Sequence, residues 1–233
     1  MFFPLRDDAP RRQFPWINWL LIGLNVVVFL YEIQLPSRYL ARIVFPTLGL
    51  VPYRVNLLWH GTPIALSVVI VPFFTSMFLH AGWWHLIGNM WMLYLFGDNV
   101  EDLLGHGRYL LFYLVCGLVA ALVQVASSPH SLVPTIGASG AIAGVLGAYF
   151  LRYPRARVLT LIFLLVFFTF WELPAWVILG AWFLLQFLSG ASALAHAASG
   201  GVAWFAHIGG FLAGMILIAL AAPRGSRKWR SIN

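Results

Sequence analysis

Six largely apolar runs, most of them close to 20 residues long, punctuate this 233-residue chain and constrain its fold more than any other feature. A helix needs about 20 consecutive apolar residues to cross ~30 Å of hydrocarbon. Such runs lie at about 17–35, 82–101, 108–126, 137–151, 174–188 and 202–222. Only 9% of the residues are charged, against roughly a quarter in soluble domains. In lipid every backbone polar group must be paired within the protein, so apolar runs of this length form helices. The expected fold is therefore an all-α polytopic membrane protein with six transmembrane helices.

The runs also set the domain organisation. Residues 1–16 form a cytoplasmic N-terminal segment, 17–222 a single membrane domain, and 223–233 a basic cytoplasmic tail. The first run follows Arg11 and Arg12 as a signal peptide would, but Glu32, Gln34 and Pro36 come after it and no A-x-A-like site. It is expected to be retained as a span. Residues 36–81 form a large first external loop, whose apolar stretch Ile64 to Leu79 contains Pro72 and then Phe-Phe-Thr-Ser. That stretch reads as an interfacial or re-entrant piece. The run from 158 to 188 is broken only by Glu172 and Pro174 and is too long for one helix. A surface-lying or partly inserted piece up to about Phe170 is expected, followed by the fifth span. No internal repeat is present, which excludes solenoids.

Charge distribution gives the orientation. The net charge of +7 would suit nucleic acid, but the cations sit in small clusters between apolar runs and not along one face. Six spans place both termini on one side, with Arg6, Arg11, Arg12, Arg108, Arg152, Arg155, Arg157, Arg224, Arg227, Lys228 and Arg230. Only Arg38, Arg42 and Arg54 fall on the other side. Loops rich in Lys and Arg stay inside, so both termini are expected in the cytoplasm. A compact chain of this kind is expected in a bacterial inner membrane. Cys116, the single cysteine, can form no intramolecular disulfide and reads as a packing residue.

Polar side chains within the spans need a reason, because hydrocarbon makes each of them costly. His85 and Asn89 are four residues apart, hence on one face of the second helix. Ser139 opens the fourth span within Gly137-Ala138-Ser139-Gly140, and His207 lies early in the sixth. The topology puts all four toward the outer ends of their helices. Gly140 and Gly144, like Gly210 and Gly214, are small-xxx-small pairs that let helices approach closely. Gly210 and Gly214 share the helical face of His207, so close packing of the sixth helix on the fourth would bring His207 to Ser139. A hydroxyl beside an imidazole is an activated nucleophile.

Each feature alone has a plainer reading. Gly-x-Ser-Gly in a membrane helix is ordinary packing, an intramembrane histidine can be a proton relay or ligand in a transporter, and His85 with Asn89 can clamp two helices. No cysteine cluster or H-E-x-x-H helix accompanies the histidines, so neither metal nor cofactor is expected. The hydrolase elbow G-x-S-x-G also fails, because position 141 is alanine. A transporter would show repeated halves with matching helix breaks, and no such symmetry is visible.

Taken together, in order and spacing, the motifs are specific. His80-x4-His85-x3-Asn89, Gly97-x3-Glu101, Gly137-Ala138-Ser139-Gly140 and Ala206-His207-x2-Gly210-x3-Gly214 resemble the rhomboid family of intramembrane serine proteases over about residues 74–216. The resemblance implies a six-helix bundle with a large first loop and a water-filled site below the outer surface. It implies a Ser–His dyad without a third acidic member, Ser139 as nucleophile and His207 as base. His85, Asn89 and the Ser139 N–H would stabilise an oxyanion, with Gly137 a loop glycine beside them. His80 and Glu101 match structural positions, at the rim of the site and the cytoplasmic end of the second helix. Two departures are visible: the first loop has no Trp-Arg pair, Tyr53-Arg54 being only a loose counterpart, and extra apolar residues lie around 158–172. The implied substrates are transmembrane proteins whose helices are weakened by Gly, Pro or small residues near the outer face. The competing expectation is a catalytically inactive rhomboid-like binder of membrane proteins.

Overall fold

The structure is a computed structural model that describes residues 2–164, 167–195 and 203–221. Among these, six helices of 14 residues or more are the main elements. They are α1 (Trp16–Glu32), α2 (Trp83–Leu104), α3 (His106–Ser127), α4 (Ser139–Arg152), α5 (Ala175–Ala195) and α6 (Trp204–Ala221). Each coincides with an expected span to within a few residues, apart from the C-terminal end of α5. The basic tail at 223–233, with four of the inner-side cations, and residues 196–202 of the Gly/Ala/Ser-rich loop lie outside the described residues.

The span count is less uniform than the sequence suggested. Among the described residues, α3, α5 and α6 are individually long and apolar enough to cross a membrane. Two bent pairs raise the number to as many as five: α1 with Ser37–Leu48, and Leu66–Phe78 with α2. The second pair turns through 78°, in keeping with a re-entrant piece ahead of the second helix. At 1.5 Å per residue the 14 residues of α4 reach only about 21 Å, short of the hydrocarbon thickness.

That short helix is the centre of the bundle. Every residue of α4 from Gly140 to Tyr149 is buried. It packs mainly on α6, then on α3 and α2, while α1 packs on α2. The α4–α6 contact is made by glycine backbones. A methyl group on Gly214 would overlap the Gly144 carbonyl, and one on Gly210 the Gly140 carbonyl. Without side chains between them, dispersion and backbone contacts bring the two helices together in lipid, where no hydrophobic force does so.

The all-helical expectation is corrected at one place. Residues Phe2–Asp7 (β1), Arg157–Leu164 (β2) and Phe167–Pro174 (β3) form an antiparallel sheet in the order β1-β2-β3. Phe3 pairs with Leu161 and Val158 with Leu173, and a bulge falls between Pro4 and Arg6. The run that was expected to lie on the surface as an inserted piece is thus a hairpin, and the N-terminal segment is its third strand. Val158, Thr160 and Ile162 alternate inward and are buried, whereas Phe167, Phe168, Phe170 and Trp171 of the edge strand are exposed. Phe3 stacks on Trp91 of α2, whose indole N–H donates to the Pro4 carbonyl. The Tyr149 hydroxyl at the far end of α4 donates to the Asp7 carboxylate.

A second polar hub ties α1 to α2 at the same end. The Glu101 carboxylate, almost wholly buried, accepts from the backbone N–H groups of Ile17 and Asn18 at the start of α1. It also lies 2.5 Å from Nδ1 of His106. The Tyr109 hydroxyl donates to Asn18, which donates in turn to the Leu93 carbonyl. Glu101 therefore caps orphan donors of a helix N-terminus, in line with the structural role expected of it.

Candidate active site

The site forms where α2, α4 and α6 begin. Ser139 is the first residue of α4, so its N–H has no carbonyl one turn earlier in the helix to pair with. Its hydroxyl Oγ lies 2.8 Å from Nε2 of His207. His207 occupies the first turn of α6 and is 8% exposed. The glycine seam explains the encounter: Gly210 and Gly214 sit on the histidine's own face, and they rest on the backbone of the helix that Ser139 opens.

The other ring nitrogen has a partner that the sequence reading missed. Nδ1 of His207 lies 2.6 Å from Oε1 of Gln186 on α5. Trp182, one turn earlier on α5, and Trp204 flank the imidazole with ring centroids 5.8 and 6.4 Å away. The signal was present, since Gln186 is the one polar side chain between Ala175 and Leu188, and a polar group in a span needs a reason. Gln124 of α3 was missed likewise; its Oε1 accepts from the Ala206 N–H at the start of α6.

His85 and Asn89 face the same place from α2. Gly137 has φ +118°, a conformation that side-chain-bearing residues rarely adopt. A Cβ built there would lie 2.6 Å from Nε2 of His85 and 3.6 Å from Nδ2 of Asn89. The bare backbone at Gly137 thus leaves the space into which both side chains point, two residues before Ser139. Its N–H donates to the Ser76 carbonyl at 2.8 Å, holding the turn. Nδ1 of His85 accepts from the Ala81 N–H, which leaves Nε2 as the protonated nitrogen of the neutral ring, a donor toward Gly137.

Asn89 is held from behind. Its Nδ2 donates to Nε2 of His80 at 3.0 Å, and the His80 backbone N–H donates to Glu32. His80 is 1% exposed, so it is a buried support beneath Asn89 and not a rim residue. Asn89 keeps a second N–H for other work.

Residues of the 36–81 segment close one side of the site. Leu50 and Thr135 exchange backbone hydrogen bonds of 3.0 and 2.8 Å, and the Tyr53 N–H donates to the Ser131 carbonyl. These bonds pin the strand-like approach to Ser139. The Arg54 guanidinium donates to the Pro46 carbonyl, so the loose counterpart of the missing Trp-Arg pair braces the loop internally. A recess beside Ser139 is walled by Met77, Gly117, Ala120, Ala121 and Ala206.

A serine bonded to an imidazole, donors facing a glycine turn, and helices that suit a bilayer define the chain as an integral membrane protein with a polar site among its helices. Residues 68–224 match the Rhomboid domain, and the chain belongs to the rhomboid family. It is 27% identical over 208 residues to Rhomboid protein 1, mitochondrial, of Saccharomyces cerevisiae, covering 85% of this chain and 51% of that protein. It is 32% identical over 169 residues to the presenilin-associated rhomboid-like protein, mitochondrial, of Rattus norvegicus, covering 70% of this chain and 42% of that protein. Rhomboid protease GluP of Bacillus subtilis is 43% identical over 74 residues, 32% of this chain and 14% of that protein. The chain therefore spans about half or less of the length of these relatives.

Proposed function

We propose that the chain is an intramembrane serine endopeptidase that cleaves transmembrane segments of membrane proteins near the outer face. The observation that carries this reading is the 2.8 Å contact between Ser139 Oγ and His207 Nε2, in a chain whose family includes a named protease. In this reading the six helices form the membrane domain, with the short α4 enclosed by the others, residues 36–81 form the external loop, and both termini are cytoplasmic. In this reading the membrane is a bacterial inner membrane; the relatives include bacterial as well as mitochondrial proteins.

The chemistry follows from the geometry. Ser139 Oγ attacks the scissile carbonyl carbon while its proton passes to Nε2 of His207. The carbonyl oxygen takes up negative charge and is met by the Ser139 N–H, the His85 Nε2–H and the free N–H of Asn89. The start of α4 adds the positive end of its helix dipole at the same point. His207 then gives its proton to the leaving amine, and water, deprotonated by the same nitrogen, hydrolyses the acyl-enzyme. The substrate must present an extended backbone, because a helix covers its own carbonyls. The small residues walling the recess beside Ser139 favour a small side chain next to the scissile bond.

The test is labelling of the detergent-solubilised protein with a serine-reactive fluorophosphonate, paired with cleavage of a transmembrane reporter. Labelling that disappears in Ser139→Ala is the expected result. A protein that captures the reporter but neither cleaves it nor reacts with the probe would be the inactive binder.

A further inference from the structure

We propose that Gln186 is a positioning residue that fixes the tautomer and orientation of His207, so that the serine–histidine pair has a neutral third member. The inference rests on the protease reading above. Nδ1 of His207 and Oε1 of Gln186 are 2.6 Å apart, on the side of the ring opposite the Ser139 contact at 2.8 Å. An amide oxygen only accepts, so Nδ1 must carry the ring proton. Nε2 then presents its lone pair to the Ser139 hydroxyl, the one arrangement in which the serine can lose its proton to the ring. The other tautomer would set an N–H against Ser139 and leave it without a base.

Position supports the assignment. Gln186 and Trp182 are one turn apart on α5, so they reach His207 from the same face of that helix. The amide orients the ring edge while the indole lies beside its face. Two helices thus hold the imidazole: α6 carries it and α5 sets its rotation. A carboxylate could orient the ring as well and would stabilise the imidazolium more strongly, as in serine proteases of aqueous fold. In a site surrounded by hydrocarbon it would add a charge that must be held there through every stage of the cycle. An amide keeps the resting site neutral.

The experiment compares Gln186→Leu and Gln186→Glu with the wild type, measuring kcat, KM, melting temperature and the pH dependence of kcat/KM on a transmembrane reporter. Ser139→Ala and His207→Ala are run alongside. Gln186→Leu keeps the volume and loses the acceptor. It is expected to lower kcat about 10²-fold with KM little changed, less than the ~10⁴ lost when the wrong tautomer is enforced in a serine protease triad. Gln186→Glu keeps the acceptor and is expected to retain cleavage, with the acid limb of the pH profile moved to higher pH because a carboxylate favours the protonated ring. A purely structural glutamine would leave that limb where it is. Wild-type kcat in Gln186→Leu would overturn the proposal. So would an unmoved acid limb in Gln186→Glu, even if Gln186→Leu fails to fold. If Ser139→Ala or His207→Ala cleaves normally, the protease assignment of those residues fails instead, and the two failures are distinguishable.

Discussion

Gly214 of α6 lies against the Gly144 carbonyl of α4 so closely that even a methyl group would not fit between them. The same seam, one turn earlier on each helix, presses Gly210 on the Gly140 carbonyl. The Ser139–His207 contact lies at the open end of this seam. The geometry of the Ser139–His207 contact and helix packing are thus one feature.

The seam gives the first prediction. Gly214→Ala introduces a Cβ that meets backbone and not a flexible side chain, so the helices must separate. Overpacking of this kind costs about 1–3 kcal/mol and sometimes more. Since Gly214 is two turns from His207, cleavage should fall together with the melting temperature. A variant with wild-type stability and activity would show that the two helices are not locked at that point.

Ser139→Ala removes the hydroxyl proposed as nucleophile while keeping the backbone of α4. We expect cleavage of a transmembrane reporter to fall by at least ~10⁴-fold, with insertion and melting temperature preserved. The reaction should also survive EDTA in the wild type. Undiminished cleavage by the variant would reject Ser139 as nucleophile, and loss on chelation with rescue by zinc would reject the serine mechanism.

His85 and Asn89 are predicted to act on the transition state. An oxyanion donor works only as charge develops, so its loss should lower kcat more than it alters KM. Removing one donor elsewhere costs on the order of 10²–10³ in kcat; less is expected here, because the other side chain and the Ser139 N–H remain. Asn89 is also bonded to buried His80, so Asn89→Ala should lose some stability, whereas His85→Ala should lose little. Full turnover with a large drop in melting temperature in both variants would make the pair a helix clamp.

Topology can be read by labelling from either side of the membrane. Tags on both termini should be reached from the cytoplasm, and a cysteine placed between Arg38 and Arg54 from outside. The sheet puts the N-terminal strand against residues 157–164, so a cysteine near Arg155 should report the same side as the N-terminus. Labels on opposite sides would break the six-span reading.

Asp7 supplies a pH dependence. Burial pushes its carboxyl up to about 6, with Asp98 and Asp8 adding to the rise and the Tyr149 hydroxyl opposing it. A carboxyl raised in the folded state favours folding when protonated. Its stabilisation is complete below about pH 4 and is lost as pH rises through about 6. Asp7→Asn, a mimic of the protonated form, should therefore raise the melting temperature at pH 8 and leave it unchanged at pH 4. Equal stabilisation at both values would assign the effect to something other than this titration.

Much of the bundle was legible because a bilayer leaves a chain few options. Runs such as 108–126 and 202–222 had to be helices, and polar groups as costly as His85, Asn89, Ser139 and His207 had to have partners. The glycine spacing on the face of His207 marked the close-packing side of its helix, and the structure sets that side on α4. The hairpin at 157–174 was not legible in this way: a continuous apolar run has no period, so helix and strand could not be told apart by pattern. Its alternating Val158, Thr160 and Ile162 favour a strand, but the third strand that pairs with them lies 150 residues away, at Phe2–Asp7.

What the sequence determined alone was the solvent, the approximate helix positions and which polar side chains lie within the helices, because hydrophobicity and helical spacing are local properties. What the tertiary structure decided was which atoms of those groups face one another. That Gln186 holds Nδ1 while Ser139 meets Nε2 depends on the rotation of α5 about its own axis and its distance from α6. Neither quantity is encoded in the spacing within a single helix; both are set by side-chain packing summed across several helices at once.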